Sequence, residues 1–295
     1  MRYLIFCLLL SSTKLIAQIV TLEDIKYRKI IPFATATFFL NNKNIKFDYF
    51  NEKGQINVDG DFVYDYVAIS CVGFENRTFL KTLFVDTVQL EKNEILLNEI
   101  VININKENKI RQLGLYGSPV KIAMGFSKGM EICIFIKNED QILRKINSFI
   151  FELPSKTKKR SVIRLHSYKI SEKDFEPGDE ILNYNITKIL DTDRSSKMQI
   201  LLQDNDLNLP PDGFFIGLEF LGYLDETENN FFNENYEKGS TKLKLNDNLN
   251  ESLTFIRNRV KNEKWDNTLW LKNNLSKIAK FKNIPNVSFG ITIYE

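Results

Sequence analysis

The alternation of apolar and polar positions predicts short β-strands in the first third of the chain. β-Branched and aromatic residues fill Phe33 to Leu40 and Ile45 to Phe50, and Asn41 to Asn44 form a turn between them. Period-two alternation follows at Gln55 to Val58. About seven such strands between Gln18 and Asn105, separated by closely spaced turns, indicate a small all-β sandwich.

The pattern beyond this block predicts a second sandwich. Strand-like runs occupy Glu131 to Ile136, Ile142 to Leu153 and Val162 to Tyr168. Phe214 to Leu221 is apolar on both faces, which is typical of a central strand. We therefore expect an all-β protein of two sandwiches, the second of jelly-roll kind.

The chain changes character toward its C-terminus. Asn, Lys and Glu crowd the segment from about Asp225 to Lys282, which predicts a polar surface insertion. Within it, Leu253 to Arg257 has the composition of a strand, and Thr268 to Phe281 has weak helical spacing. Val287 to Tyr294 then alternates apolar and polar residues, which predicts a closing strand in the sheet of the second sandwich.

The N-terminus has the features of a secretory signal peptide. Met1 to Tyr3 is a short basic start, and the apolar run Leu4 to Leu10 is too short to span about 30 Å of hydrocarbon. Small residues then lead to Ala17, so Gln18 is the predicted mature start; a buried N-terminal strand is the alternative. No later apolar run reaches the length of a membrane span, so we expect a chain that is soluble after export or peripheral to a membrane.

Four motifs in the first block follow one another in a recognisable order. They are the opening strand Ile31 to Phe38, the turn and strand Asn51 to Ile56, the strand Val67 to Glu75, and a closing motif at Val88 to Leu90 and Leu97 to Ile102. In order and spacing they resemble the carboxypeptidase regulatory-like (carboxypeptidase D-like) β-sandwich. The sequence departs from that pattern after the turn glycine, where an aromatic residue is usual.

This resemblance covers a quarter to a third of the chain. It implies a transthyretin-like sandwich at residues 18–105 without catalytic residues, as found in exported and outer-membrane proteins of Bacteroidetes-type bacteria. Arg164 to Leu182 and Leu209 to Leu221 likewise resemble a C-terminal module of such proteins that has no assigned activity. The expected organisation is a signal peptide at 1–17, the regulatory-like domain at 18–105 and the second sandwich at 106–295.

Charge excludes one class of partner. The 295 residues include 40 Lys and Arg against 38 Asp and Glu, a formal net charge of +2, and Arg2 and Lys14 of the leader supply the excess. A balanced chain of this kind argues against nucleic acid or anionic lipid as the main partner. The basic run Lys156 to Arg160 has no interleaved aromatic residue and is interpreted as a solvated hairpin tip.

The sequence offers few groups for nucleophilic or redox chemistry. His166 is the single histidine, and it shares one strand face with Arg164 and Tyr168. Catalysis at His166 would need Cys133, a serine or an aspartate as partner, so we interpret it as a surface or cross-strand histidine. Cys71 and Cys133 lie in apolar runs and are expected to be buried thiols, although export leaves a disulfide open.

Two weaker candidates concern metal and ligand binding. Asp204, Asp206 and Asn208 present oxygens at alternate positions, as a calcium loop begins. The loop then departs from that pattern, because Leu209 stands in place of the turn glycine and Phe215 in place of the bidentate glutamate. A polar strand connection is therefore the favoured interpretation, and no metal is expected.

Aromatic residues near the C-terminus suggest a ligand surface. Trp265 and Trp270, with Phe255, could stack on the apolar face of a sugar, and packing between sheets is the alternative. Gly73, between two large apolar residues, predicts a bulge or a close backbone approach.

The sequence contains no Gly-rich phosphate loop, HExxH motif or CxxC pair, so no cofactor is expected. We therefore predict a non-catalytic exported binding or scaffold protein of the bacterial cell envelope, whose partner is an envelope protein, a peptide or a glycan. An accessory module for outer-membrane transport or for glycan or peptide uptake, acting in trans, is the alternative. A hydrolase that uses carboxylates such as Glu219 or Asp212 is the second alternative.

Overall fold

The computed structural model describes residues 18–93, 109–116, 123–125, 127–153, 157, 159–193, 196–202, 207–224, 241–259, 262–268 and 281–295. These described residues form twenty-two β-strands and one short 3-10 helix, without an α-helix. The all-β, sandwich-like fold expected from the sequence is therefore confirmed. Among the same residues, no helix has the length and apolar character needed to cross a membrane.

The chain divides into two compact units, residues 1–92 and 93–295. The boundary predicted between residues 105 and 106 lies outside the described residues, as do the proposed leader at 1–17 and the second part of the closing motif, Leu97 to Ile102.

Two sheets form the first unit. One has the strand order β4-β1-β7 and the other the order β3-β2-β5-β6. Side chains from both sheets meet in one core, with Val20 and Leu22 from the first sheet and Phe38 and Val67 from the second. The strands are β1 (Gln18–Asp24), β2 (Thr35–Leu40), β3 (Lys43–Tyr49), β4 (Gln55–Val58), β5 (Tyr66–Ser70), β6 (Arg77–Leu80) and β7 (Thr87–Leu90).

The predicted strands of this unit are largely confirmed. Residues Gln55 to Val58 form a strand in which Ile56 and Val58 are buried and the residues that alternate with them are more exposed, as a period of two implies. Strand β6 ends at Leu80 and is followed by the 3-10 helix Lys81–Leu83.

The second unit is built on two larger sheets. The first, called here the central sheet, has the order β13-β12-β17-β10-β19-β20, with β14 also pairing with β12. The second has the order β15-β11-β22-β8, with β16 also pairing with β11, and a small sheet has the order β21-β18-β9. The strands are β8 (Ile110–Gly114), β9 (Ala123–Gly125), β10 (Met130–Ile136), β11 (Arg144–Glu152), β12 (Ser161–Ile170), β13 (Pro177–Glu180), β14 (Thr187–Leu190), β15 (Lys197–Leu201), β16 (Asn208–Leu209), β17 (Phe214–Tyr223), β18 (Lys242–Asn246), β19 (Thr254–Asn258), β20 (Asn262–Asn267), β21 (Asn286–Val287) and β22 (Phe289–Tyr294).

Long-range pairing closes the second unit. β22 lies between β11 and β8, which confirms that the C-terminal strand belongs to a sheet of this unit. All ten residues of β17 are buried, as expected for a central strand with both faces covered.

The segment from Asp225 to Lys282 contributes strands to the sheets of the second unit, among them β19 at the place where Leu253 to Arg257 predicted a strand. β18 pairs with β9 and buries Leu243 and Leu245, and β19 pairs with β10 in the central sheet. The leucines alternate with Lys242 and Lys244, so a period-two pattern was present but was diluted by the polar residues around it. Residues 225–240 and most of the segment with helical spacing lie outside the described residues.

Candidate functional site

The candidates from the sequence fall in different places. Asp204, Asp206 and Trp270 lie outside the described residues, and Asn208 pairs in β16 with Lys145 of β11. Among the described residues, no group of three or more His, Cys, Asp or Glu side chains is arranged to hold a metal ion.

Neither of the two cysteines that the structure describes forms a disulfide. Cys71 is buried in the first unit and Cys133 in the second. Burial raises the pKa of the Cys133 thiol well above its ordinary value, so this thiol is protonated and a poor nucleophile at neutral pH. The basic run predicted as a hairpin tip is described only in part, and there Arg160 Nε lies 3.1 Å from Asp191 Oδ1.

Charged and aromatic side chains gather instead on one face of the central sheet. Strands β10, β12, β17 and β19, with the end of β13 and the turn after β19, contribute them. This set, called the charge network, consists of Glu131, Arg164, His166, Tyr168, Glu180, Glu219, Arg257 and Arg259.

Strand register brings the network together. Glu219 of β17 lies opposite Glu131 of β10 on one side and opposite Arg164 of β12 on the other. Arg257 of β19 lies opposite Glu131, so the four side chains form one row across four strands. In this row, each carboxylate has a guanidinium group as its outer neighbour, which is a favourable cross-strand arrangement.

Gly217 makes this packing possible. It lies opposite His166 on one side and Cys133 on the other. A Cβ atom at Gly217 would come within 2.7 Å of the Cys133 Cβ and 2.8 Å of the Ile132 oxygen. Only glycine therefore lets the strands approach this closely beside the imidazole.

His166 is held between two carboxylates. Its Nδ1 lies 2.5 Å from Glu180 Oε2, and its Nε2 lies 2.9 Å from Glu219 Oε2. Glu180 also accepts a hydrogen bond from the backbone nitrogen of Ser167, at 2.7 Å. Arg164 Nη1 donates to the same Glu219 oxygen at 3.1 Å, so this one oxygen has two partners.

Glu131 is bound from three directions. The Tyr168 hydroxyl donates to Oε1, and Oε2 accepts hydrogen bonds from Arg257 Nε at 2.8 Å and Arg259 Nε at 3.1 Å. Arg259 Nε also lies 3.5 Å from Glu219 Oε1, so this guanidinium links the two carboxylates. Adjacent buried carboxylates repel each other, and these contacts offset the repulsion.

The network is buried at its centre and reaches solvent at its rim. Glu131 and Glu219 have no exposed surface, and His166 is 1% exposed. The side chains of Arg257 and Arg259 remain 17% and 23% exposed. Water can therefore reach the rim of the network but not the carboxylates at its centre.

The pKa values follow from this arrangement. Burial alone would raise the pKa of Glu131, but His166 and the two arginines beside it lower that pKa to about 2. Burial likewise opposes ionisation of Glu219, yet its cationic neighbours, Arg259 first among them, hold its pKa well below 4.5. Burial would lower the pKa of His166, but the charges of Glu131 and Glu180 raise it to about 9.

Aromatic residues adjoin the network on the same face. Phe135, Phe215, Phe255 and Tyr168 form a buried cluster with Cys133. Phe175, 50% exposed, packs against this cluster with ring centres 4.8 Å from Phe135, 5.8 Å from Phe215 and 6.4 Å from Phe255.

Trp265 packs at the edge of this cluster. The Arg257 guanidinium lies 4.2 Å from its ring centre, and Tyr168 meets it edge to face at 5.7 Å. Arg257 covers one face of the Trp265 indole, and Phe255 is buried. These two aromatic residues of the predicted glycan surface therefore pack around the charge network.

Sequence reasoning found part of this site. It placed Arg164, His166 and Tyr168 on one strand face and named Glu219 as a carboxylate of interest. It missed Glu131 and Glu180 as partners. The available signal was a charged residue inside an apolar strand, as at Glu131 and Glu219, because such a residue is buried only when it is paired.

The buried groups of the network are not poised for proton transfer near neutral pH. A general acid or base works best with a pKa close to the working pH. Here the central carboxylates remain ionised, the imidazole remains protonated, and burial raises the pKa of Tyr168 well above 10. The arrangement is that of an ionic cluster whose central members are paired with one another.

Comparison with known proteins gives little further information. No protein-family model matches the chain, and no curated protein matches it. One similar solved structure contains the cysteine protease and lectin-like domains of Cwp84, a surface layer associated protein of Clostridium difficile. The identity is 10% and the TM-score 0.37, over 95% of this chain and 63% of that one. A TM-score this low does not establish a common fold.

Proposed function

We propose that this chain is a non-catalytic binding or scaffold protein of the bacterial cell envelope. The observation that carries the proposal is how the ionisable side chains of the charge network in the second unit are paired. Its carboxylates and its imidazole are bound to one another and to arginines, away from solvent. Such a network specifies strand register and supports a surface.

The surroundings of Glu219 favour the binding proposal over the hydrolase alternative. Glu219 is fully buried and held by Arg164 and His166, so it can neither contact a substrate nor supply a proton at neutral pH. Asp212, the other carboxylate considered, lies on an exposed turn before β17.

Placement in the envelope is supported by the sequence. The predicted leader at 1–17 and the resemblance of residues 18–105 to the carboxypeptidase regulatory-like domain both favour export. Loops and strand edges of two sandwiches would then present the surface for an envelope protein, peptide or glycan.

Envelope material of the encoding bacterium provides the test. The mature chain, residues 18–295, should bind it saturably and release no sugar or peptide fragments. The Asp212→Asn variant serves as matched control and should bind as the wild type does. Protein recovered from the same cells should begin at or near Gln18.

Two results would overturn the proposal. One is turnover of envelope material by the wild type that Asp212→Asn or a folded Glu219→Gln variant abolishes. The other is recovery of the protein with Met1 intact in the cytoplasmic fraction, which would remove the case for export.

A further inference from the structure

The first unit contains a cavity at one end of its sandwich. Its volume is about 400 Å³, within the range of small-molecule sites. The walls come from the end of β1 and the turn after it, from the turn after β5, and from the residues after β7. The lining residues are Asp24, Tyr27, Lys29, Ile30, Ile31, Phe74 and Lys92.

The apolar part of the cavity is accessible. Tyr27 is 56% exposed and Ile30 is 44% exposed, and Ile25 beside them is 40% exposed. Exposed aromatic and branched side chains grouped around a concavity are costly in water, and they gain free energy when an apolar group covers them.

Backbone hydrogen bonds fix these walls. The nitrogen of Phe74 donates to the Cys71 oxygen at 3.0 Å, and Phe74 forms a β-bridge with Lys92. Ile30 forms a second bridge with Glu23. The cavity is thus preformed, so a ligand would not have to order its walls.

Lysines stand at the rim of the cavity. Lys26 Nζ lies 5.4 Å and Lys92 Nζ 6.0 Å from the centre of the Tyr27 ring. Within the described part of the chain, neither Lys29 nor Lys92 forms an ion pair, whereas Arg28 lies 3.9 Å from Glu23. Residues 18–93 hold nine basic and ten acidic residues, so this local positive charge is not a property of the whole unit.

Asp24 is the acidic residue of the lining. It is 4% exposed, and its Oδ1 accepts hydrogen bonds from the backbone nitrogens of Lys26 at 2.7 Å and Tyr27 at 2.8 Å. This carboxylate therefore holds the turn that carries Lys26 and leads to Lys29.

We propose that this cavity binds a small amphiphilic anion, a carboxylate on an aryl or alkyl body. The carboxylate would lie between Lys29 and Lys92, and the apolar body would cover Tyr27, Ile30 and Phe74. Both halves of the cavity are needed, because the lysines attract any anion and the apolar wall selects among anions. The site goes beyond the proposed function, since it lies within residues 24–92 and needs no envelope partner.

Titration of the full mature chain, residues 18–295, tests the site. The probes are 4-phenylbutyrate and octanoate, which distinguish an aryl from an alkyl body, with 4-phenylbutyramide as the uncharged control. At least one acid should bind saturably with Kd of about 1 mM or tighter. Amide NMR shifts should change at residues 24–31, 73–74 and 91–92.

Variants assign the binding to this cavity. The double substitution Lys29→Gln and Lys92→Gln should weaken binding by about tenfold or more. Lys43→Gln, on an exposed position of β3 in the other sheet, should leave it unchanged. Equal melting temperatures establish that both variants fold.

Four outcomes would overturn the proposal. The first is that neither acid saturates the protein at 10-fold the expected Kd, on the order of 10 mM. The second is that 4-phenylbutyramide binds as tightly as the acids, and the third is that the NMR shift changes are confined to other parts of the chain. Unchanged affinity in the double variant would also overturn it. None of these outcomes bears on envelope binding, so the two proposals fail separately.

Discussion

At the scale of single residues, Gly73 shows how backbone conformation constrains the first unit. Its φ is +84°, at the third position of a turn that the Phe74 nitrogen closes onto the Cys71 oxygen. The sequence suggested a bulge or a close backbone approach here, whereas the structure shows a turn that needs a left-handed residue.

Gly73→Val should lower the free energy of unfolding by about 1–3 kcal/mol, because a β-branched residue is strained at this φ. Gly73→Asn is the matched control and should cost less, since asparagine tolerates left-handed backbone. Urea denaturation of both variants measures the difference. Equal stability of Gly73→Val and wild type would refute the strained turn.

Glu219 tests the charge network at the same scale. Glu219→Gln removes the negative charge that Arg164 and His166 share, so that the two buried cations lose their common carboxylate. The expected loss is about 3–5 kcal/mol, as for a buried ion pair broken from one side. Glu172→Gln, on an exposed loop after β12, is the control and should change stability little. A Glu219→Gln protein as stable as wild type would show that the network contributes nothing to folding.

At the scale of elements, the sequence predicted strands better than their partners. The alternation of Arg164, His166 and Tyr168 placed all three on one face of β12, and the structure agrees. The pairing of these residues with Glu131 and Glu219 could not be inferred, because it depends on the registers of β10 and β17. Register is fixed by long-range packing, which a local pattern does not encode.

The C-terminal strand gives a prediction at this scale. β22 lies inside its sheet and buries Phe289, Ile291 and Ile293. Deleting residues 287–295 would separate β11 from β8 and expose the core on both sides, so the truncated chain should lose soluble yield and cooperative melting. Deleting Glu295 alone is the control and should be tolerated. Wild-type yield and melting temperature after the longer deletion would contradict the topology.

At the scale of the whole molecule, the two compact units differ in how much of their fold the sequence predicted. The first unit was recognisable from its strands and turns, although only the β2–β3 and β5–β6 pairs join strands that follow one another in the chain. The second unit was seen less completely, since β18 and β19 follow a long polar stretch and still join its sheets.

Independent folding of the first unit follows from its own core. Residues 18–105 include all seven strands of the two sheets and the apolar cluster between them. This fragment should show β-type circular dichroism and a single cooperative melting transition. The full mature chain provides the reference. A disordered spectrum would show that the first unit needs the second in order to fold.

The protonation state of His166 tests the central claim most directly. It is the single histidine of the chain, so its imidazole signals in NMR are unambiguous. A pKa raised from 6.5 to about 9 means that the charged form stabilises the fold at neutral pH, and that this contribution is lost as the pH rises through about 9. The account predicts an imidazole that stays protonated at pH 7 and titrates near 9. Titration at or below 6.5 would contradict a protonated imidazole held between two carboxylates and would restore His166 as a candidate general base.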